Sequence, residues 1–234
     1  MILFPTSKEN SKNTELKKYG SLLFWHLKGM GMLLLLPIIS VYICQPVYLV
    51  LTRFFEFGGF GQQYIADALF SEVLFLYPPL SVCWVYWCLH KYTDSDEREV
   101  YYIYKKSKLK AVMSLYICYI ITIGPAMLCF VILFDKAVFS SLYVFIASVS
   151  FVYCGITYWL AYFFGSTRVI LPMLFGYSFI VTAPYSYGFE FINYTSIAYG
   201  SSMQRIVDAL FIFVAGVVFW IMGYILNLKY ERFL

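Results

Sequence analysis

The chain has 234 residues, of which 62% are apolar or aromatic and only 13% charged, with a mean hydropathy of +0.73. Soluble domains carry about a quarter charged residues, and a water-soluble fold of this length cannot hide so much apolar side chain, so much of it faces lipid or other helices in lipid. The net charge of +4 is small and leaves no nucleic-acid footprint.

A helix needs about 20 predominantly apolar residues to cross the hydrocarbon. Residues 1–28 are too polar for that and carry Lys8, Lys12, Lys17, Lys18 and Lys28. Within them Leu16, Tyr19, Leu23 and Leu27 share one helical face, with Lys17, Lys18 and Lys28 elsewhere. This pattern predicts a helix lying in the cytoplasmic interface, its lysines against anionic lipid. The first apolar stretch, 29–52, runs past Pro37 and Pro46 without a small-residue cleavage site, so it reads as retained rather than as a signal peptide. Further spans follow at 65–90, with Asp67 and Glu72 in its first turns, and at 111–134 and 137–167, both uncharged. The fifth, 169–187, is short before Pro184, and the sixth covers 206–228. The intervening 184–205 is rich in Tyr, Ser and Gly and reads as an outer interfacial or re-entrant segment. These stretches lack strand alternation and exceed the roughly 10 residues of a spanning strand, which excludes a barrel. The expected fold is an all-α integral membrane domain over 1–234, with six spans and an N-terminal interfacial helix.

Lys and Arg in the connections set the orientation. With the N-terminus inside, 1–28, 91–110, 168 and 229–232 hold fourteen of the seventeen basic residues, and only Arg53, Lys136 and Arg205 lie outside. Six spans then return the C-terminus to the cytoplasm as well.

Chemistry-bearing residues are few. The six cysteines all lie in apolar stretches, there is no C-x-x-C, and His26 and His90 are far apart, so no metal site is expected. No nucleophile–base pair or Gly-x-Ser-x-Gly elbow points to an enzyme. Within spans, Gln45, Asp67 and Glu72 are candidates for lining a translocation path, since polar groups in lipid must face the bundle or a watery cavity. Local packing and headgroup contact are the plainer reading of the same three residues.

The connection 91–110 is the most informative segment. It holds ten of the thirty charged residues, acidic first and basic last, an order that favours the helix dipole. Asp96, Glu97, Arg98 and Glu99 lead into the apolar run Val100, Tyr101, Tyr102, Ile103 and Tyr104. That describes a short cytoplasmic helix with an aromatic face.

Six spans, an interfacial N-terminal helix, a charged helix between spans two and three, and a semi-polar segment before span six resemble the permease subunit of ABC-2-type exporters. In that family the loop after span two starts with acidic residues and leads through a coupling helix into a Ser- and basic-rich stretch. Here Asp96, Glu97 and Glu99 match the acidic start, and Ser107 with Lys108 resembles the later stretch. The Gly often found after the acidic pair and the Pro ahead of the Ser are absent. The resemblance implies an exporter of a peptide, antimicrobial or lipid-like substrate in a bacterial plasma membrane, built with a second permease copy. There is no G-x-x-x-x-G-K-[ST], so ATP would be bound by a separate cytoplasmic subunit docked on residues 96–104. Outside that family, a secondary carrier or a membrane-bound immunity or accessory protein fits the same layout.

Overall fold

A computed structural model describes residues 24, 27–47, 50, 62–94, 108–133, 136–182 and 202–230. The described residues are almost entirely helical and contain no strand. Helix α1 spans Met32–Ile39 and continues as a π turn, Ser40–Cys44, to Val47. Then come α2 (Gln62–Thr93), α3 (Lys108–Leu133), α4 (Lys136–Phe164), α5 (Ile170–Thr182) and α6 (Ser202–Tyr230). Three stretches, Lys108–Cys129, Ser140–Phe164 and Met203–Lys229, are long and apolar enough to cross a membrane. That is the makeup of a multi-pass helical membrane protein. Helix α2 has 32 residues, a length of roughly 48 Å that also exceeds the hydrocarbon thickness.

Helix α4 is the shared wall. In its most apolar stretch 72% of residues are buried, against 33% for α3 and 22% for α6. It packs against α6, α2 and α3, so it is screened from lipid on most sides.

Lipid tails are as apolar as the side chains they touch, so burying apolar surface does not drive helices together in a membrane; packing does. The α4–α6 seam supplies that packing. Along α6 the buried positions are Arg205, Ala209, Gly216, Trp220, Gly223 and Asn227, with Ile212 half-buried. Their three- and four-residue spacing is a narrow stripe of the coiled-coil kind. Large rings fill the hollows that the glycines leave. A Cβ on Gly155 would come within 2.9 Å of Trp220, and one on Gly216 within 2.6 Å of Phe151. Gly223 has the same relation to Tyr158. The rings form a ladder, Phe213–Phe151–Trp220–Tyr158, with centroids 4.7, 5.5 and 5.5 Å apart and planes within 28° of parallel. Trp220 Nε1 donates to the Phe151 carbonyl at 3.1 Å, so the indole is satisfied without water.

The contacts also fix direction. Ser141 meets Arg205, Gly155 meets Trp220 and Tyr158 meets Gly223, so α4 and α6 run parallel. Ser81 meets Cys154 and Asp94 meets Thr167, which makes α2 parallel to α4 as well. Helix α3 is antiparallel to both, through Tyr119 with Tyr77, Lys108 with Tyr92, Tyr116 with Ala147 and Tyr143 with Ile120. Gly29 beside Lys91 and Gln45 beside Tyr77 run α1 antiparallel to α2. Helices α1 to α4 therefore alternate, and the chain returns to the opposite end between Phe164 and Ser202.

Two glycines bend the chain at the end where α2 finishes. Gly31 (φ 54°) separates a helical turn at 27–29 from α1, and Gly165 (φ 64°) stops α4. Both sit in the left-handed region that side chains resist. The sequence places the first span at 29–52 and the fourth at 137–167; the described helices begin and end a few residues inside those limits because of these two turns. Most of the expected interfacial helix at 15–28 lies outside the described residues, as does most of the outer segment expected at 184–205, whose last four residues instead open α6.

Replacing Gly216 with Val should push Phe151 out of its seat and cost about 1–3 kcal/mol, the usual penalty for overpacking. Val218→Ala, on the exposed side of the same helix, should change stability by less than about 0.5 kcal/mol. Unfolding of the purified protein in detergent or nanodiscs measures both, and equal effects would contradict the seam.

Candidate functional site at the basic end of the bundle

The end of the bundle where α2 and α4 finish, α1 and α3 begin and α6 ends carries most of the described cations. Lys28, Lys91, Lys108, Lys110, Arg168 and Lys229 lie there, whereas Lys136 and Arg205 belong to the opposite end. Two lysines rest on aromatic rings. Lys91 Nζ is 5.5 Å from the Trp87 ring, and Lys108 Nζ is 5.9 Å from that of Tyr92. Lys108 is buried at the first turn of α3, where a cation opposes the helix dipole, and the ring face offsets part of that cost.

Asp94 organises this end. It follows the last turn of α2, its N–H still bonded to the His90 carbonyl at 2.9 Å. Its Oδ2 accepts from the Thr167 amide at 2.7 Å and the Thr167 hydroxyl at 2.5 Å. The Thr93 hydroxyl, which donates to the Leu89 carbonyl at 3.1 Å, lies 3.4 Å away, and His90 Nδ1 lies 3.2 Å away. A carboxylate only accepts, so His90 carries its hydrogen on Nδ1 in this contact. The His90 ring is stacked on Tyr86 with planes 11° apart, which fixes its direction.

The local sequence explains the arrangement. His90 and Asp94 are one helical turn apart and share a face. Across from them, Gly165-Ser166-Thr167 ends α4 and leads into α5, whose first amides lack helical partners. The Asp94 carboxylate thus ties the turn that leads into α5 to the end of α2, near the positive end of the α5 dipole. Partial burial pushes the carboxyl upward, but hydrogen bonds from the Thr167 hydroxyl and amide, from Ser166 and from His90 outweigh it and hold it down at about 2.

Residues 95–107 fall outside the described residues, so Asp96, Glu97, Arg98, Glu99, Val100, Tyr101, Tyr102, Ile103 and Tyr104 are not placed. The two residues that bracket the segment, Asp94 and Lys108, are both at the basic end. Gln45 is buried between α1 and α2, and its Oε1 accepts from the Tyr77 hydroxyl. Asp67 and Glu72 belong to the first three turns of α2, at the end opposite Asp94, and their side chains are not described. Sequence reasoning missed Asp94, His90 and Thr167 as a group; the His-x-x-x-Asp spacing was the visible signal, and its partner lies 73 residues further along.

Among the described residues no three His, Cys, Asp or Glu come together in a way that would hold a metal ion. Comparison with family models, with curated proteins and with solved structures gives no match.

A carboxyl held below its unfolded value stabilises the fold above that unfolded value, near 3.8, and the contribution is lost as pH falls through about 2. The neighbouring His90 side chain is 32% exposed, so the contribution is discounted to about 1–2 kcal/mol. Asp94→Asn should therefore lower stability by that amount at neutral pH. Unfolding followed from pH 6 to pH 2 should show the gap between the two proteins constant above about pH 4 and closing below it.

Proposed function

We propose that this chain is the permease subunit of an ATP-driven exporter of the ABC-2 type, crossing the plasma membrane of a bacterium six times with both termini in the cytoplasm. A separate ATPase subunit binds the segment between α2 and α3, and a second permease copy completes the path for a peptide, antimicrobial or lipid-like substrate. The reading rests on the resemblance in layout and in the acidic-to-basic segment, and not on any matched relative.

The anchoring of Asp94 is the observation that carries the mechanism. A force applied to residues 96–104 by a closing ATPase reaches α2 through the backbone. Through Asp94 it also reaches the turn between α4 and α5. At the other bracket Lys108 rests on Tyr92 and passes the same force into α3. One push then moves four helix ends together, which is what reorienting a bundle requires. The six described cations at this end agree with a cytoplasmic face under the charge rule. Gln45, Asp67 and Glu72 line the path in this reading.

The test is co-purification with a P-loop ATPase that has no spans of its own and is encoded beside this chain, with stimulated ATP hydrolysis by the pair. Reversing charge at Glu97 and Glu99 together should abolish transport and stimulation while membrane insertion stays intact. Unchanged transport in that double variant contradicts the proposal.

A further inference from the structure

Three helices carry a π turn or a proline at one depth. In α1 the π turn Ser40–Cys44 runs straight into Gln45 and Pro46. Helix α2 carries Pro78 and Pro79, and α3 carries Pro125. Hydrogen bonds tie the three together at that level: Tyr77 to Gln45, the Tyr119 hydroxyl to the Tyr77 carbonyl at 2.5 Å, and the Tyr42 hydroxyl to the Thr122 carbonyl at 2.5 Å. Pro78, Pro79 and Pro125 lack an N–H, so the carbonyls of Leu74, Phe75 and Ile121 lose their usual helical donors. Proline is tolerated in membrane helices where neighbouring groups take up the freed backbone, and π turns concentrate at functional sites.

Gln45 is the polar side chain at the centre of this layer. It is 1% exposed. Its Oε1 takes the Tyr77 hydroxyl hydrogen, which turns Nε2 away from Tyr77, and Nε2 has no partner. A buried amide left unpaired costs about 1–3 kcal/mol, and lipid offers it nothing. The neighbouring hydroxyls are all engaged: Ser81 with the Pro78 carbonyl, Thr122 with the Cys118 carbonyl, and Tyr42, Tyr77 and Tyr119 as above. A second buried N–H without a partner, Trp84 Nε1, belongs to the indole that packs edge-on against Tyr119 at 6.0 Å. Both of these unpartnered side-chain groups are donors. No Lys or Arg occurs in 38–47, 73–85 or 115–127, so nothing in this layer offsets an anion's desolvation.

We propose that the layer formed by Gln45, Tyr77, Trp84 and Tyr119 is an intramembrane binding site for the neutral carbonyl oxygen of an apolar molecule. Gln45 Nε2 is the donor, and Tyr77 is a positioning residue that holds the amide in the donating orientation. The inference deepens the exporter reading by naming what the path recognises: a peptide amide or a lipid ester, which share this acceptor. Because binding needs no ATPase, failure of the exporter reading and failure of this site show up in different experiments.

The test uses the full chain in nanodiscs of ether-linked phosphatidylcholine, which has no ester carbonyl. Side-chain 15N labelling of glutamine gives signals from Gln45, Gln62, Gln63 and Gln204, and loss of one in Gln45→Leu assigns it. Titration with N-acetyl-leucine N-methylamide should move the Gln45 amide proton downfield and saturate. In Tyr77→Phe, saturation should need roughly tenfold more probe, the loss of one orienting hydrogen bond. If ester-linked lipid alone produces the shift, the lipid supplies the carbonyl and the site stands. A Gln45 signal that responds to neither source overturns the proposal. So does a signal that shifts equally in Tyr77→Phe at the same probe concentration, for the positioning role. Both readings come from the Gln45 signal itself, which is present in the unaltered chain.

Discussion

Everything else in the bundle is placed by the close approach of α4 and α6. In a bilayer the two helices gain nothing by hiding apolar surface from each other, and the contact survives only because rings meet glycines at van der Waals distance. Phe151, Trp220 and Tyr158 need Gly216, Gly155 and Gly223 opposite them, so the register of the two helices admits no slippage by a residue. That register makes them parallel. Parallel helices separated by 37 residues oblige the chain to recross the bundle, and α5 provides the first 13 residues of the return.

With α4 fixed, the remaining helices fall into place around it. Helix α2 lies parallel through Ser81 with Cys154 and Asp94 with Thr167, and α3 fits antiparallel against both. The consequence is electrostatic as well as geometric. Ends that carry Lys28, Lys91, Lys108, Lys110, Arg168 and Lys229 gather on one side, and the carboxylate of Asp94 sits among them, bonded to the turn between α4 and α5. The exposed flank of α6, with Leu210, Phe211, Val214, Val218 and Ile221, is left apolar, as a helix facing lipid must be.

Much of this was legible in the chain. Long uncharged stretches announce spanning helices, and the bias of Lys and Arg announces which connections belong together, because both follow from the cost of placing charge in hydrocarbon. Gly31 and Gly165 shift the helix limits by a few residues, since a single left-handed residue leaves hydropathy unchanged. The Asp94–Thr167 contact was illegible for a different reason: it joins residues 73 apart, and in the sequence Asp94 is one acid among several in a charged run. The solitary buried Gln45 was visible as a polar residue in an apolar stretch, but its unpaired nitrogen depends on where Tyr77 points, and no periodicity encodes that.

Lys28, Lys91, Lys108, Lys110, Arg168 and Lys229 share one end of the bundle, Lys136 and Arg205 lie at the other, and the chain recrosses between α4 and α6. Single cysteines at Lys110, Arg168, Lys229 and Gln204, all exposed positions, test it with a membrane-impermeant maleimide, the unaltered chain serving as background. In a six-span chain with cytoplasmic termini, the first three label only in inverted vesicles and Gln204 only from outside intact cells. Labelling of Gln204 from the same side as Lys229, or of Lys110 and Lys229 from opposite sides, would contradict it.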